Sequence, residues 1–238
     1  MPDLEFEFGV PIPGRAVPHD QWTRTGYRDD GKPFDWDRVF GRTAPRVVDL
    51  GCGNGRYLLG SAISRPDRDH LGIDLVQRAI DFGAHRANKR GLPNVRFVTG
   101  DAVFWLFERL DSVDEIHVYH PQPYYETADI SKRMLTPEFL DRAWRVLRPG
   151  GLLVLQTDNK AYWKYLLEAV RGHFEPTIVP GPWPDAPRGR TRREIQARAM
   201  GLVVWRMEAK RRDVANPVRI SAPTFDANRP RFRKGRKN

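Results

Sequence analysis

The sequence predicts an α/β fold: a doubly wound, mostly parallel seven-stranded sheet with helices on both faces and one antiparallel edge strand. Three observations predict it. From Val47 onward, short aliphatic runs alternate with helix-length stretches, the pattern of strands joined by helical crossovers. The first run, Val47-Val48-Asp49-Leu50, passes straight into Gly51, Gly53 and Gly55, which let a backbone turn sharply and approach a ligand. Three successive strands then carry an acid at or near their carboxyl ends: Asp49, Asp74 and Asp101, 25 and 27 residues apart, about one strand–helix–strand unit each.

The elements follow in order. Residues 1 to about 40 are rich in Pro, Gly and Asp and read as an irregular arm with one short helix at Asp35–Phe40. Val47–Leu50 is the first strand, and the run from Arg56 to Ile63 is a helix. His70–Asp74 is the second strand, Gln77–Arg90 a helix stopped by Gly91, and Val95–Val98 the third strand. Ala102–Leu110 is a short helix and Glu115–Tyr119 the fourth strand. Thr136-Pro137-Glu138 opens a helix that runs to Leu147, since a threonine cap, a proline in the first turn and an early acid are start signals. Arg148–Gly151 is a sharp turn before the strand Leu152–Gln156, and Asn159–Val170 is helical. Thr177–Val179 and Leu202–Trp205 read as a final antiparallel pair at the sheet edge. The chain thus divides into the arm (1–40), one α/β domain (41–210) and a basic tail (211–238), which carries Arg229, Arg231, Arg233, Lys234, Arg236 and Lys237 and has little to bury.

Composition narrows the function. The chain has 238 residues and 40 Lys+Arg against 30 Asp+Glu, a formal charge of +10. A solvated basic surface is the plain reading, and a polyanionic partner, above all nucleic acid, is the sharper one. Cys52 is the single cysteine, so no intramolecular disulfide forms, and it reads as a packing residue of the turn. No apolar run approaches a membrane span, and the acidic N-terminus lacks a signal-peptide pattern. These features place the protein in the cytoplasm, away from membranes, with monomer and homodimer both open. No metal-ligating set is assigned.

The turn also selects a cofactor. A dinucleotide fold uses G-x-G-x-x-G with a pyrophosphate on the helix N-terminus. Here the pattern is D-x-G-x-G-x-G, and a carboxylate at Asp49 repels a pyrophosphate but suits the cationic amino-acid end of S-adenosylmethionine. Strand ends at a topological switch point share one crevice. Asp74 is placed to accept both ribose hydroxyls, and Asp101 with Ala102 to meet the adenine. Taken singly, an aspartate after a strand is more often a helix cap. Three at this spacing behind the glycines Gly51, Gly53 and Gly55 indicate S-adenosylmethionine.

The motifs resemble those of the bacterial tRNA (guanine-N7-)-methyltransferases, class I enzymes with a Rossmann-like fold. Phe40–Pro45 resembles the family's lead-in, His70-Leu71-Gly72-Ile73-Asp74 its F-L-G-I-E, and Asn94-Val95-Arg96 with Asp101-Ala102 its N-L-R and D-A. His120-Pro121-Gln122-Pro123-Tyr124 occupies the place of F-P-D-P-W, Thr157-Asp158 that of T-D, and Thr191–Glu194 that of T-K-F-E, with Val204-Trp205 at the spacing of V-W. The resemblance implies methyl transfer from S-adenosylmethionine to N7 of a guanine in tRNA, in the variable loop. It assigns Asp158, Thr191 and Glu194 to the guanosine and Gln122 with Asp158 to the catalytic position.

Guanine N7 has a free lone pair and no proton, so the chemistry is in-line displacement without a general base. The site must align the reactants and supply negative potential as cationic charge moves onto the purine. A carboxylate suits guanine because N1–H and the exocyclic amine are adjacent donors. Gln122 stands where the family has an acid, and Glu126 where it has a base. We read them as one coupled change that restores negative charge in the loop. Lys132 and Arg133, the Arg188–Arg193 cluster and the tail are the expected phosphate contacts. Trp183 is a candidate for stacking on a base, whereas Trp205, in an apolar strand, reads as core. Three plainer readings stand beside these: a surface ion pair of Glu194 with Arg190 or Arg198, a cap on the following helix for Asp158, and a solvating role for the tail. At the level of function, the alternatives are another acceptor (an RNA base or a small molecule) and a catalytically weak RNA-binding relative.

Overall fold

A computed structural model describes residues 5–124 and 132–218 of the chain. Seven strands form the main sheet. Five are parallel: β3 (Arg46–Leu50), β4 (Asp69–Asp74), β5 (Val95–Thr99), β6 (Val113–Tyr119) and β7 (Leu147–Thr157). β8 (Phe174–Ile178) and β9 (Trp205–Arg211) complete it in the order β5-β4-β3-β6-β7-β9-β8. β9 is antiparallel to both its neighbours, so the expected antiparallel pair closes one edge, with the reversed strand one place in from the rim.

Each crossover has a readable cause. In β3, Val47, Val48 and Leu50 are fully buried, as strands covered on both faces require. Helices α2 (Arg56–Ser64) and α3 (Gln77–Lys89) pack their apolar faces with Phe97 into one core. The opposite core holds α4 (Ala102–Glu108), α5 (Pro137–Val146) and α6 (Lys160–Ala169). Caps set the starts: the side chains of Asp101, Thr136 and Asn159 accept the N–H groups of Phe104, Phe139 and Tyr162. The α6 cap is Asn159, so the capping role weighed for Asp158 falls one residue later.

Several boundaries differ from the sequence reading; β8, for one, runs Phe174–Ile178 where Thr177–Val179 was expected. Arg148–Gly151 is not a turn before a strand. It is an excursion inside β7, because Leu147 already pairs with Val113, and the ladder resumes at Leu152 opposite Glu115. Leu202–Val204 lies before the last strand, which starts at Trp205 and runs on to Arg211 through charged residues that alternation alone does not reveal. The arm is also more ordered than its composition suggests. It holds a hairpin of β1 (Phe6–Glu7) and β2 (Val10–Pro11) and the short helix α1 (Trp36–Phe40) capped by Asp35. Gly26 then bridges to Phe97, with the Tyr27 N–H donating to Phe97 C=O (2.7 Å) and the Phe97 N–H to Thr25 C=O (2.8 Å). This covers the open edge of β5, which would otherwise expose unpaired backbone groups. Phe34 and Trp36 anchor the arm in the core.

The strand order reverses at β3, where β4 leaves on one side and β6 on the other. That switch point carries the glycine turn, and ligands of open α/β sheets bind there. Gly51, Gly53 and Gly55 all have positive φ (81°, 54° and 72°). At Gly55 a Cβ would lie 2.5 Å from the Phe97 ring. Gly55→Ala is therefore expected to lower the urea midpoint, by about 2–4 kcal/mol of stability, through left-handed strain plus overpacking. Gly31→Ala, also at positive φ but with open space around it, should cost only about 1–2 kcal/mol from strain alone.

Candidate cofactor and substrate site

A cavity of about 310 Å³ opens at the switch point, lined on one side by Asp49, Gly51, Cys52, Gly53 and Asn54 and on the other by Thr191, Arg192, Arg193 and Gln196. Tyr57, Tyr119, Arg56 and Ala79 complete it. Nothing lies within 4 Å of where a Cβ would project from Gly51 or Gly53, so the turn presents bare backbone to open space. The Asp49 carboxyl is buried, and its Oδ1 has no hydrogen-bond partner. Burial, reinforced by the charge of Asp74, pushes its pKa well above the carboxylate range. A buried acid without a partner at the wall of a cavity fits a cationic group.

Asp74 and Asp101 have protein partners. Asp74 Oδ2 accepts the Gly53 N–H (2.8 Å) and Oδ1 the Val76 N–H (2.9 Å), so this acid buttresses the turn that it was expected to serve only through ligand contacts. Asp101 Oδ1 accepts the Phe104 N–H (2.8 Å), the helix-cap role, and Ala102 beside it is buried. Leu75, Val76 and Phe104, on the stretches that follow these two acids, are exposed apolar side chains. Gly55 faces Phe97 inside the protein.

Behind the cavity, the Tyr57 hydroxyl meets His117 Nε2 (2.9 Å) and the Tyr119 hydroxyl meets His117 Nδ1 (2.8 Å). Burial pushes the His117 pKa down to about 4 in spite of the Glu115 carboxylate at its Nε2 (2.9 Å), so the ring is neutral at pH 7 and shares Nε2 between that carboxylate and the Tyr57 hydroxyl. Arg190 donates to the Tyr119 hydroxyl (2.9 Å), pairs with Asp185 (2.7 Å) and lies 3.8 Å from the centroid of the Trp183 ring.

The wall opposite the glycine turn is organised by α7 (Arg192–Ala199), capped by the Thr191 side chain on the Glu194 N–H. Thr191 also lines the cavity. Asp158 is bonded through Oδ1 to His120 Nδ1 (2.8 Å) and through Oδ2 to Arg193. Burial would raise its pKa, but these two partners prevail and pull it to about 2. Gln122 is exposed on the loop after β6. Glu126 lies outside the described residues, and with it the proposed coupling to Gln122.

Several expectations need correction. Glu194 is fully buried, and its pairing is not at the surface. Its carboxylate takes Arg206, the Arg190 N–H (2.9 Å) and the Gln156 amide (3.3 Å), so it holds α7 against β9 and β7. Arg133 is turned inward, donating to the carbonyls of Pro123 (2.7 Å) and Tyr124 (2.9 Å), and so shapes the loop from inside; Lys132 is exposed. Of the two tryptophans, Trp183 is the one fully buried, under Arg190, and Trp205 is only half-buried. The sequence reading missed Tyr57, Tyr119, Gln156 and His120. Only the strand-end positions of Tyr119 and Gln156 signalled them, since polar residues there face the crevice.

The comparisons agree with this geometry. Residues 43–207 match the model of a family described as "Putative methyltransferase". The chain is 30% identical over 204 residues to the tRNA (guanine-N(7)-)-methyltransferase of Nitrosococcus oceani, covering 85% of this chain and 86% of that protein. It is 32% identical to the enzyme of the same name from Halorhodospira halophila, covering 79% and 77%. The chain belongs to the tRNA (guanine-N7-)-methyltransferase family. Solved structures extend the fold beyond it. The 16S rRNA methyltransferase KamB superposes with a TM-score of 0.56 at 16% identity, covering 76% of this chain and 94% of that one. The 16S rRNA (adenine(1408)-N(1))-methyltransferase of Catenulisporales acidiphilia gives 0.54 at 18% identity, covering 79% and 96%. Among the described residues no helix is long and apolar enough to cross a membrane.

Because the folded-state pKa of Asp158 lies below the ordinary carboxylate value, its ionised form adds stability above about pH 4. That stability is lost as pH falls through about 2. Asp158→Asn should therefore flatten the acid limb of stability between pH 4 and 2, removing about 2 kcal/mol of pH-dependent stability, as read by urea midpoints across that range.

Proposed function

We propose that this protein transfers a methyl group from S-adenosylmethionine to N7 of a guanine in tRNA, the variable-loop guanine, in the cytoplasm. The observation that carries the reading is the unpartnered buried carboxyl of Asp49 at the switch-point cavity of a chain in this family. S-adenosylmethionine, when bound, supplies an activated methyl on a sulfonium. The chain's own residues supply the rest. Asp49 takes the ammonium end, and Gly51 and Gly53 give that end unobstructed backbone. Asp74 keeps lone pairs for ribose hydroxyls, since a carboxylate offers about four acceptor sites and two are used here. Exposed Leu75, Val76 and Phe104, with Ala102, offer apolar surface to the adenine.

On the acceptor side, no residue has to remove a proton from N7. The need is for alignment and for negative potential near the purine as it becomes cationic. Asp158, held ionised, meets that need. Gln122 adds hydrogen bonding without charge. Thr191, at the cavity wall, stands between the cofactor side and the acceptor side. Arg188, Arg192 and Lys132 are exposed and offer phosphate contacts; Arg190 and Arg193 pair with Asp185 and Asp158.

The direct test is incubation with methyl-labelled S-adenosylmethionine and total tRNA, followed by nucleoside analysis. 7-Methylguanosine is expected; a different methylated nucleoside would move the reading to another acceptor, and no transfer would overturn it. Asp49→Asn, which keeps shape and removes charge, should weaken S-adenosylmethionine binding about thirtyfold or more by calorimetry. Wild-type affinity should rise with pH through the Asp49 titration, because the ammonium requires the carboxylate. Truncation after residue 218 removes the tail's six named Lys and Arg side chains and spares Arg211 and Arg212, whose contacts to Trp144 belong to the fold. It should weaken tRNA binding and flatten the dependence of log Kd on log salt. An unchanged slope would exclude the tail as a phosphate contact.

A further inference from the structure

The geometry points to His120 as a positioning residue, locked as its Nδ1–H tautomer by a chain that begins at Trp183, whose task is to fix the Asp158 carboxylate for the acceptor base. The inference rests on the function proposed above. An indole N–H only donates. That of Trp183, buried, donates to Gln156 Oε1. The amide is thereby oriented, and its NH2 faces the other way, toward Glu194 Oε2 (3.3 Å) and His120 Nε2 (2.7 Å). A flipped amide would set its oxygen against the Glu194 carboxylate and its NH2 against the indole N–H. His120 Nε2 is therefore an acceptor, the ring hydrogen sits on Nδ1, and Nδ1–H donates to Asp158 Oδ1 (2.8 Å). One assignment of hydrogens satisfies every member.

The backbone gives independent support. His120 has φ 51°, a left-handed conformation that a residue with a Cβ adopts under strain and keeps only where its surroundings impose it. Gln156 imposes it from both ends: its carbonyl accepts the His120 N–H (2.7 Å) while its amide holds the ring. The ring then reaches Asp158, whose other oxygen takes Arg193 at the cavity wall. Glu194 is already neutralised by Arg206, and Gln122, two residues beyond His120, has no charge. Asp158, which shares its other oxygen with the half-exposed Arg193, is the carboxylate that lies beside the acceptor loop, and His120 aims it.

Asparagine and glutamine separate the two ring nitrogens. Asparagine can place an N–H near the position of Nδ1, whereas glutamine reaches only toward Nε2. His120→Gln should lower kcat for tRNA methylation about tenfold or more, leave the Kd of S-adenosylmethionine within twofold, and move the acid limb of kcat upward as Asp158 loses a donor. His120→Asn should restore most of kcat and of the pH profile. ¹⁵N spectra of histidine-labelled wild-type protein, with His120 assigned by its loss in His120→Asn, should show the Nδ1–H pattern. An Nε2–H pattern, a His120→Gln enzyme with wild-type kcat, or His120→Asn no better than His120→Gln would each overturn the proposal. Should the wild type methylate no guanine in tRNA, the functional reading fails on its own. The tautomer and the acid midpoint of Asp158 in His120→Gln, read by stability, would still decide whether His120 orients that carboxylate.

Discussion

The hydrogen bond from the Gly53 N–H to the Asp74 carboxylate is the contact on which the site depends. It joins the turn after β3 to the end of β4, and it holds the middle glycine of a left-handed succession that would otherwise be free to relax. Gly55, where a Cβ would meet the Phe97 ring, and Gly53, tethered to Asp74, fix the path of the chain from β3 to α2 at two points. Asp49, just upstream in β3 and flanked by β4 and β6, is buried without a partner at the cavity wall. A turn held less firmly would let water or a backbone donor reach that carboxyl and remove the reason for it to attract a cation.

The N-terminal arm reinforces the same turn from outside. Glu7 contacts the Asn54 side chain within the turn and also Arg86 (2.8 Å) and Arg56 (3.5 Å), both buried. Arg56 in turn donates to Pro11 C=O (2.7 Å) and Gly189 C=O (3.4 Å). Arm, cofactor turn and the loop that leads to Thr191 thus share one guanidinium. Glu5 also pairs with Arg86 (3.2 Å), so these two buried guanidiniums face two carboxylates, and pairing of this kind is the condition under which buried charges can be kept out of water.

The acceptor half is assembled on a different principle. It has no glycine cradle. It is set by a chain of donors and acceptors buried between β7, β9 and α7, in which each group has its partner and Glu194 is matched by Arg206. Such networks specify one geometry because a single wrong orientation leaves a buried group unsatisfied. Glu194, expected from the sequence at the guanosine, is a buried member of this network, and Arg133 supports the loop carbonyls from within.

The sequence by itself determined the sheet, its strand ends and the cofactor turn, because hydrophobic periodicity, glycine spacing and helix caps are local signals that act within a few residues. It placed Asp49, Asp74 and Asp101 at or just after the carboxyl ends of successive strands for the same reason. Which of them keeps an unpartnered carboxyl was decided only by the tertiary structure. Asp74 and Asp101 found backbone donors nearby, and Asp49, buried in β3, did not. The tertiary structure likewise decided that Trp183, not Trp205, is fully buried and that β9 runs on through charged residues. It also brought His120, Gln156 and Asp158 together with Trp183 and Glu194. Those contacts join residues up to 38 positions apart, and no local pattern encodes the partner of a polar side chain that must be satisfied across such a distance.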